Sequence, residues 1–257
     1  FQELVRKLAR DEGSASQFSL AGLTLAAKAL YLVLLWQSVQ RPLLVVVDGN
    51  KQAEALIELV RTFFDLLVED ARIGRPQMLP ALDVIPSHNL SPHSELSEQR
   101  AVTLWRMATH PAPILITPVA SALLRLETRD FYKGLGLVLK TGEEVAPEDV
   151  VAHLRSIGYE QRDPVEMVGE FSVRGGILDI FPPEIEQPVR IEFFGDSIES
   201  MRRFDPETQR SVHTTRDAVL LPLLEYPKSR ALFKELYDFA GDRVSVAGEE
   251  FPGWEFW

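Results

Sequence analysis

The chain has 257 residues, which suggests about two domains at the usual size of roughly 150 residues each. It carries 27 Lys and Arg against 38 Asp and Glu, and this net charge of −11 excludes a protein that holds nucleic acid through its overall charge. The cysteine count of 0 excludes disulfide scaffolds, thiolate metal sites and cysteine nucleophiles. With 46% hydrophobic and 25% charged residues, the composition is that of a folded globular protein.

No segment has the length of a membrane anchor or the pattern of a signal peptide. The most apolar run, 30–36, is far shorter than the ~20 residues that a spanning helix needs. Apolar residues at Phe1, Leu4, Val5 and Leu8 predict an amphipathic helix at the start. The chain stops on an aromatic cluster, 251–257, which a natural end would seldom leave exposed. We therefore expect a fragment of a longer protein.

The first 129 residues alternate between helical and strand patterns. Helices are predicted over 24–39, 51–64 and 94–107, and strands over 43–47 and 114–116. A proline-rich stretch, 74–93, predicts a long loop between them. This alternation is typical of a parallel sheet covered by helices, so we expect a small doubly wound α/β domain over 1–129.

A different pattern begins near residue 130. An extended segment at 137–140 and a helix over 147–157 precede several short alternating segments that are separated by turns. The strands predicted there are 165–168, 170–174, 177–181, 189–194, 198–204 and 211–214. Their regular spacing predicts an inserted antiparallel α+β domain over 130–218. The strand pattern at 219–222 then predicts a return to the first sheet, so that 219–257, with a helix over 227–241, completes the α/β domain.

A degenerate phosphate-loop pattern lies at 22–29, with the sequence GLTLAAKA. The working pattern G-x-x-x-x-G-K-[ST] needs its second glycine to cradle phosphate and its final hydroxyl to bind magnesium. Those two positions hold Ala27 and Ala29, and only Gly22 and Lys28 fit the pattern. The residues therefore favour the relic of a nucleotide site over a working one. A nucleotide-dependent enzyme acting on DNA stays as the alternative.

Other candidate sites give weaker signals. His88 and His93 share a loop with Asp83 and Glu95, where a metal site could be drawn, but loop histidines without fixed neighbours are more often solvated. We expect no metal and no cofactor. The basic pair at 202–203 offers a local DNA contact, which the acidic total disfavours.

Strand alternation divides the side chains of two predicted strands between a core face and an outward face. In 189–194, the period of two sends alternate residues inward and leaves three outward, namely Arg190, Glu192 and Phe194. In 171–174 the same rule buries Phe171 and Val173 and turns Arg174 outward. An aromatic side chain beside arginines is the composition of a protein-interface hot spot. The alternative is a Phe194 covered by a neighbouring loop beside solvated arginines.

Three long motifs carry a family resemblance. The segments VGEFSVRGGILDIFP (168–182), PVRIEFFGD (188–196) and IESMRRFD (198–205) resemble the UvrA-binding module shared by UvrB and the bacterial transcription-repair coupling factors, the Mfd family. The stretch FDPETQRS (204–211) looks most like the coupling factors. UvrB has an intact phosphate loop and a tyrosine-rich hairpin that inserts into DNA. Here the loop is degenerate and 74–110 contains no tyrosine, so the resemblance favours the coupling factors.

The resemblance implies a non-catalytic adaptor whose partner is UvrA. The two arginines and the phenylalanine with which the family docks UvrA fall on Arg174, Arg190 and Phe194. It further implies a RecA-like α/β remnant, a cytoplasmic location and a monomer. In the full-length family protein, an ATP-driven DNA translocase of helicase type removes stalled RNA polymerase, and UvrA is then recruited to start nucleotide excision repair. Contacts with polymerase and DNA, and the motor that this module restrains, would belong to domains absent from this chain.

Overall fold

A computed structural model of the chain describes residues 17–70, 74–84, 90–240 and 250–256. The chain divides into two compact units. Unit 1 comprises Phe1–Ala81 and Arg106–Leu126, and unit 2 comprises Leu82–Trp105 and Glu127–Trp257. The amphipathic helix predicted at 1–8 lies outside the described residues. Within the described ranges, no helix has the length and apolar character needed to cross a membrane.

Unit 1 is built on a three-stranded parallel sheet. Its strands are β1 (Leu43–Val47), β2 (Gln77–Met78) and β3 (Ile114–Pro118), in the order β1-β3-β2. Strands β1 and β3 pair from Leu43 opposite Ile114 to Val47 opposite Pro118. The mainly β-branched run of β1 favours the extended conformation, and this pairing satisfies its backbone on one side.

Two long helices form the core of unit 1 against this sheet. Helix α1 (Leu25–Val39) and helix α2 (Asn50–Leu67) bury small and large apolar side chains in this core. Helix α1 begins at Thr24, whose hydroxyl accepts the N–H of Ala27, and ends at Gln40 in the left-handed conformation. Most of helix α3 (Ser94–Thr109) belongs to unit 2, and the short helix α4 (Val119–Ala122) follows β3 in unit 1. The predicted mixed α/β character is thus confirmed.

Unit 2 contains a six-stranded sheet and a two-stranded sheet. The six strands are β5 (Glu160–Gln161), β6 (Glu170–Arg174), β7 (Ile177–Ile180), β8 (Val189–Phe194), β9 (Ser197–Phe204) and β10 (Ser211–Thr215). They lie in the order β10-β9-β8-β7-β6-β5, and every pair is antiparallel except β5 with β6. The small sheet pairs β4 (Leu137–Lys140) with β11 (Asp217–Leu220) in antiparallel fashion.

The main core of unit 2 lies between one face of the six-stranded sheet and a helix. Helices α5 (Arg129–Lys133), α6 (Pro147–Ser156) and α7 (Arg230–Ala240), with a 3-10 turn at Trp254–Phe256, complete the unit. Leu154 of α6 packs with Phe171, Leu178 and Ile191 of the sheet, and all four are buried. Because these strands are half covered, their sequences alternate, which made them predictable.

Two strand predictions are wrong. The segment 165–168 is not a strand but part of a turn, because the Glu170 carboxylate accepts the backbone N–H groups of Glu166 and Met167 at 2.8 and 2.9 Å. Those amides are therefore engaged locally rather than in a strand pair. The strand predicted at 219–222 is β11, and it pairs with β4 of unit 2 instead of returning to the first sheet. The predicted domain limits 1–129, 130–218 and 219–257 otherwise stay a prediction.

Candidate functional site

The strands β6, β7 and β8 present a second face, opposite the main core, where the predicted site residues lie. Val189 and Ile191 are fully buried, whereas Phe194, on the other side of β8, is 81% exposed. The predicted direction of these side chains is confirmed. The alternative in which a neighbouring loop covers Phe194 is wrong.

The predicted burial of Val173 is wrong, since this side chain is 38% exposed. The reason is the short length of β5, which pairs only with Glu170 and Phe171. Beyond those two residues, β6 has β7 as its only strand neighbour among the described residues, so Val173 lies at an open edge of the sheet. Arg174, next along the strand, is turned outward as predicted, with a side chain that is 44% exposed.

A buried carboxylate joins the two arginines of this face. Asp179 of β7 is 1% exposed and stands opposite Arg190 of β8 in the strand register. Its Oδ1 accepts the Nε–H of Arg190 at 2.7 Å, and its Oδ2 accepts from Nη2 of the same arginine at 2.8 Å. Oδ2 also accepts from Nη2 of Arg174 at 2.5 Å. We name this group, Arg174, Asp179, Arg190 and Phe194, the arginine face.

Arg190 is the most enclosed charged member of the arginine face after Asp179. Its side chain is 17% exposed, and its guanidinium lies over the ring of Phe204, 4.7 Å from the ring centre. Phe204 in turn packs in a small second core with Val165 and Phe181. The hydrogen bonding of Arg190 to Asp179 is the largest cause that raises the pKa of Arg190 above its ordinary value, so the cation persists at any physiological pH.

Phe194 ends β8 next to a tight turn. Gly195 follows it with φ +61°, a left-handed conformation that favours glycine, and β9 begins at Ser197. In the pairing of β8 with β9 the register shifts between Glu192 and Phe193, and the extra residue of this bulge, Glu199, belongs to β9. The period of two along β8 is therefore kept, and it leaves Phe194 on the outward face. The turn that follows presents this ring to solvent at the end of the strand that also carries Arg190.

The sequence interpretation missed Asp179 and Phe204, which hold the arginines in place. A signal for Asp179 exists in the sequence, because an acidic residue interrupts the otherwise apolar strand 177–180. A carboxylate in such a place must have cationic partners once it is buried. Strand alternation does put Asp179 and Arg190 on one face, but only the register shows that they lie opposite each other.

The segment that resembles a phosphate loop has a different local geometry. Gly22 has φ +79°, but the N–H of Ala27 donates to the Thr24 hydroxyl at 3.3 Å and the N–H of Lys28 donates to the Thr24 carbonyl at 2.9 Å. Ala29 is fully buried in the core of unit 1. A nearby cavity of about 550 Å³ is lined mainly by apolar side chains, with Lys28 and Asp48 among the few polar ones.

The loop around His93 shows local hydrogen bonding. The N–H of His93 donates to Asp83 at 3.1 Å, and the N–H of Glu95 donates to Nδ1 of His93 at 3.4 Å. In the part of the chain that the structure describes, no three His, Asp or Glu side chains group as metal ligands would. His88 lies outside the described residues.

Part of unit 2 matches a known domain family. Residues 137–226 match the family model described as UvrB interaction domain, and this segment contains the whole arginine face. The chain is 30% identical over 230 residues to a transcription-repair-coupling factor of Bacillus subtilis. The aligned region covers 88% of this chain and 19% of the relative. The chain is 37% identical over 199 residues to that of Mycobacterium bovis, covering 74% of this chain and 15% of the relative.

A similarity to UvrABC system protein B of Methanococcoides burtonii is also found, at 28% identity over 223 residues, covering 84% of this chain and 34% of that protein. The chain thus spans 15–19% of the length of the coupling factors quoted above. This chain is therefore similar to part of the transcription-repair-coupling factors, and its residues 137–226 match the UvrB interaction domain.

Proposed function

We propose that the arginine face binds the repair protein UvrA and that this chain is a non-catalytic interaction module. The observation that carries the proposal is Phe194, a large aromatic side chain that is 81% exposed on the same face of the sheet as two arginines. Moving such a ring from water into an apolar pocket of a partner lowers the free energy, which favours binding. The family resemblance of Arg174, Arg190 and Phe194 and the match of 137–226 to the UvrB interaction domain support the same partner.

In the parent protein, the module recruits UvrA to RNA polymerase stalled at DNA damage, and nucleotide excision repair starts there. Similarity to transcription-repair-coupling factors over 74–88% of the chain supports this role. ATP-driven movement on DNA and contact with polymerase belong to other domains of the parent chain, which this module restrains by packing against them. The module itself works as a cytoplasmic monomer without a cofactor.

Unit 1 is, in this proposal, the relic of a RecA-like nucleotide-binding domain. Its parallel sheet, with helices α1 and α2 packed in one core with β1 and β3, is the arrangement on which such sites are built. The alanines at positions 27 and 29 remove the glycine and the hydroxyl that phosphate and magnesium binding require. The unit then contributes a scaffold rather than catalysis.

A calorimetric titration of this chain with purified UvrA tests the proposal. We expect the wild-type chain to bind and Phe194→Ala to weaken binding by about 2 kcal/mol, roughly 30-fold. Leu123→Ala is the matched control, because Leu123 is 79% exposed but lies in unit 1. That variant should bind like the wild type. Circular dichroism of each variant verifies that the fold is retained.

A well-folded wild-type chain that does not bind UvrA contradicts the proposal. The second candidate, a nucleotide-dependent DNA-repair domain, is favoured by the similarity to UvrABC system protein B. It requires ATP binding near Gly22 and Lys28. The same preparation, titrated with Mg-ATP and with duplex DNA, separates the two functions.

A further inference from the structure

We infer that Asp179 and Arg190 are positioning residues, and that the groups of the arginine face that meet the partner are the Arg174 guanidinium and the Phe194 ring. This inference rests on the proposed function and divides its residues into two roles. Arg190 would act through Asp179, and Asp179 through Arg174.

Three of the five N–H groups of Arg190 already donate hydrogen bonds within the protein. Its Nε and Nη2 donate to Asp179 at 2.7 and 2.8 Å, and its Nη1 donates to the Gln209 carbonyl at 3.4 Å. One face of its guanidinium lies over Phe204, and the side chain is 17% exposed. A partner that took the Nε–H or the bonded Nη2–H of Arg190 from Asp179 would have to break charge-assisted, bidentate bonds, which are among the strongest in proteins.

Arg174 is held less completely and is open to a partner. Its side chain is 44% exposed, and its strongest bond is the one from Nη2 to Asp179. Its second ion pair, from Nη1 to Asp163, spans 3.4 Å and involves a carboxylate that is itself largely exposed. Such an exposed pair contributes little. Neither of these two pairs uses the Nε–H of Arg174.

The resulting surface has a defined chemistry. One guanidinium fork, fixed at one corner by Asp179, stands on β6, and an exposed phenyl ring stands on β8, with β7 between these two strands of one sheet. The complementary patch on a protein partner is a carboxylate or carbonyl oxygen beside an apolar pocket. The two hydrogen bonds from Arg190 fix the position of the Asp179 carboxylate, so the fork of Arg174 is oriented before binding and loses less entropy in the complex.

Asp179→Asn is the variant that tests this chain of contacts, because it keeps the side-chain volume and removes the charge. An amide oxygen can still accept one bond, but its NH₂ group repels the second guanidinium. Ser172→Ala is the matched control, since Ser172 is buried and lies opposite Asp179 in the register of β6 and β7. That substitution leaves both arginines with their carboxylate.

The experiment is a double-mutant cycle, measured as affinity for purified UvrA with the wild type, Asp179→Asn, Arg174→Ala and the double variant. We expect each single variant to weaken binding about 10-fold and the double variant to bind no worse than Arg174→Ala alone. Multiplied losses, about 100-fold in the double variant, would overturn the inference, because Asp179 would then act independently of Arg174. Unchanged affinity of Asp179→Asn would overturn it as well.

Two further measurements cover the failure of a variant or of the proposed function. If Asp179→Asn does not fold, Arg190→Lys replaces it, since lysine keeps the charge but cannot grip Asp179 with two donors; its loss of affinity must also vanish in the Arg174→Ala background. If the wild type does not bind UvrA, the proposed function fails. Positioning is then judged on the free protein by NMR of the arginine Nε–H groups, where an Arg174 signal unchanged by Asp179→Asn overturns it.

Discussion

The guanidinium carbon of Arg190 lies 4.7 Å from the centre of the Phe204 ring. The buried ring therefore contacts one face of the cation, while Asp179 accepts hydrogen bonds from its N–H groups. Phe204 belongs to a small core with Val165 and Phe181, on the side of the sheet away from the main core. The polar cluster of the arginine face is therefore built on packed apolar side chains. Its geometry depends on the stability of that small core.

Arg190→Ala should destabilise the fold as well as weaken partner binding. The substitution leaves the nearly inaccessible Asp179 carboxylate with Arg174 as its remaining cationic partner and uncovers Phe204. Because an underpaired buried charge is costly, we expect the free energy of unfolding to fall by about 2–3 kcal/mol. Urea denaturation monitored by circular dichroism measures this loss.

Arg202→Ala is the control for that measurement. Arg202 lies opposite Arg190 in the register of β8 and β9, but its ion pair with Glu192 spans 3.4 Å and is partly exposed. Its loss should change the free energy of unfolding by less than about 0.5 kcal/mol. Equal effects of the two substitutions would show that the bonds of Arg190 with Asp179 and Phe204 contribute no special stability.

The two glycines of the turn between β6 and β7 should respond differently to alanine. Gly175 has φ +59° and open space around an added Cβ, so Gly175→Ala meets only the strain of the left-handed conformation, about 1 kcal/mol. At Gly176 an added Cβ would lie 2.7 Å from the Phe193 carbonyl oxygen. The backbone of β8 must then shift, and we expect Gly176→Ala to cost more than about 2 kcal/mol.

Urea denaturation of both glycine variants measures the difference, and UvrA affinity gives a second readout. The shift at Phe193 lies next to Phe194, so Gly176→Ala should weaken UvrA binding more than Gly175→Ala does. Equal destabilisation by the two substitutions would mean that the backbone at Phe193 yields without cost.

Much of the fold was predictable because its strands are half buried. The alternation in 189–194 identified both the strand and the outward direction of Arg190 and Phe194. Strand β2 was missed because two residues are too short to show any period, and the prolines around it favour a loop. The pairing of β11 with β4 depends on residues some 80 positions apart, which local patterns cannot specify.

The site was predictable in its outward residues but not in what holds them. Period-two alternation and family resemblance both indicated Arg174, Arg190 and Phe194. Arg190 is enclosed and Arg174 is open because Asp179 lies opposite Arg190 in the strand register and because the Gln209 carbonyl accepts a hydrogen bond from Arg190. Those are tertiary contacts. The exposure of Val173 likewise depends on how far β5 extends beside β6.

Mg-ATP should not stabilise this chain against heat. The Thr24 hydroxyl occupies the N–H of Ala27 at the start of α1, and Ala29 is packed in the core where a magnesium-binding hydroxyl would be needed. A ligand at 100 times its dissociation constant adds about 2.7 kcal/mol, which shifts the melting temperature by several degrees. We expect no shift at millimolar Mg-ATP by differential scanning fluorimetry. An ATPase with an intact phosphate loop is the positive control, and a reproducible rise for this chain would contradict the relic interpretation.

Glu98→Gln should stabilise unit 2 at neutral pH and have no effect in acid. Burial, and then the negative charges of Glu184 and Glu95, raise the pKa of the Glu98 carboxyl above its ordinary value. The folded state therefore binds this proton more tightly than the unfolded state. The contribution of Glu98 is most favourable below the pKa of the unfolded chain, about 4.3, and is lost as pH rises through that value to the raised one. Removing the charge should thus raise the free energy of unfolding at pH ~7, by less than about 1 kcal/mol, with the gain vanishing near pH ~3.

Glu199→Gln makes the same change in net charge at an exposed position of β9 and should give no gain at either pH in urea denaturation. A gain from Glu98→Gln that persists in acid, or that Glu199→Gln matches, would rule out the local charge of Glu98 as its cause.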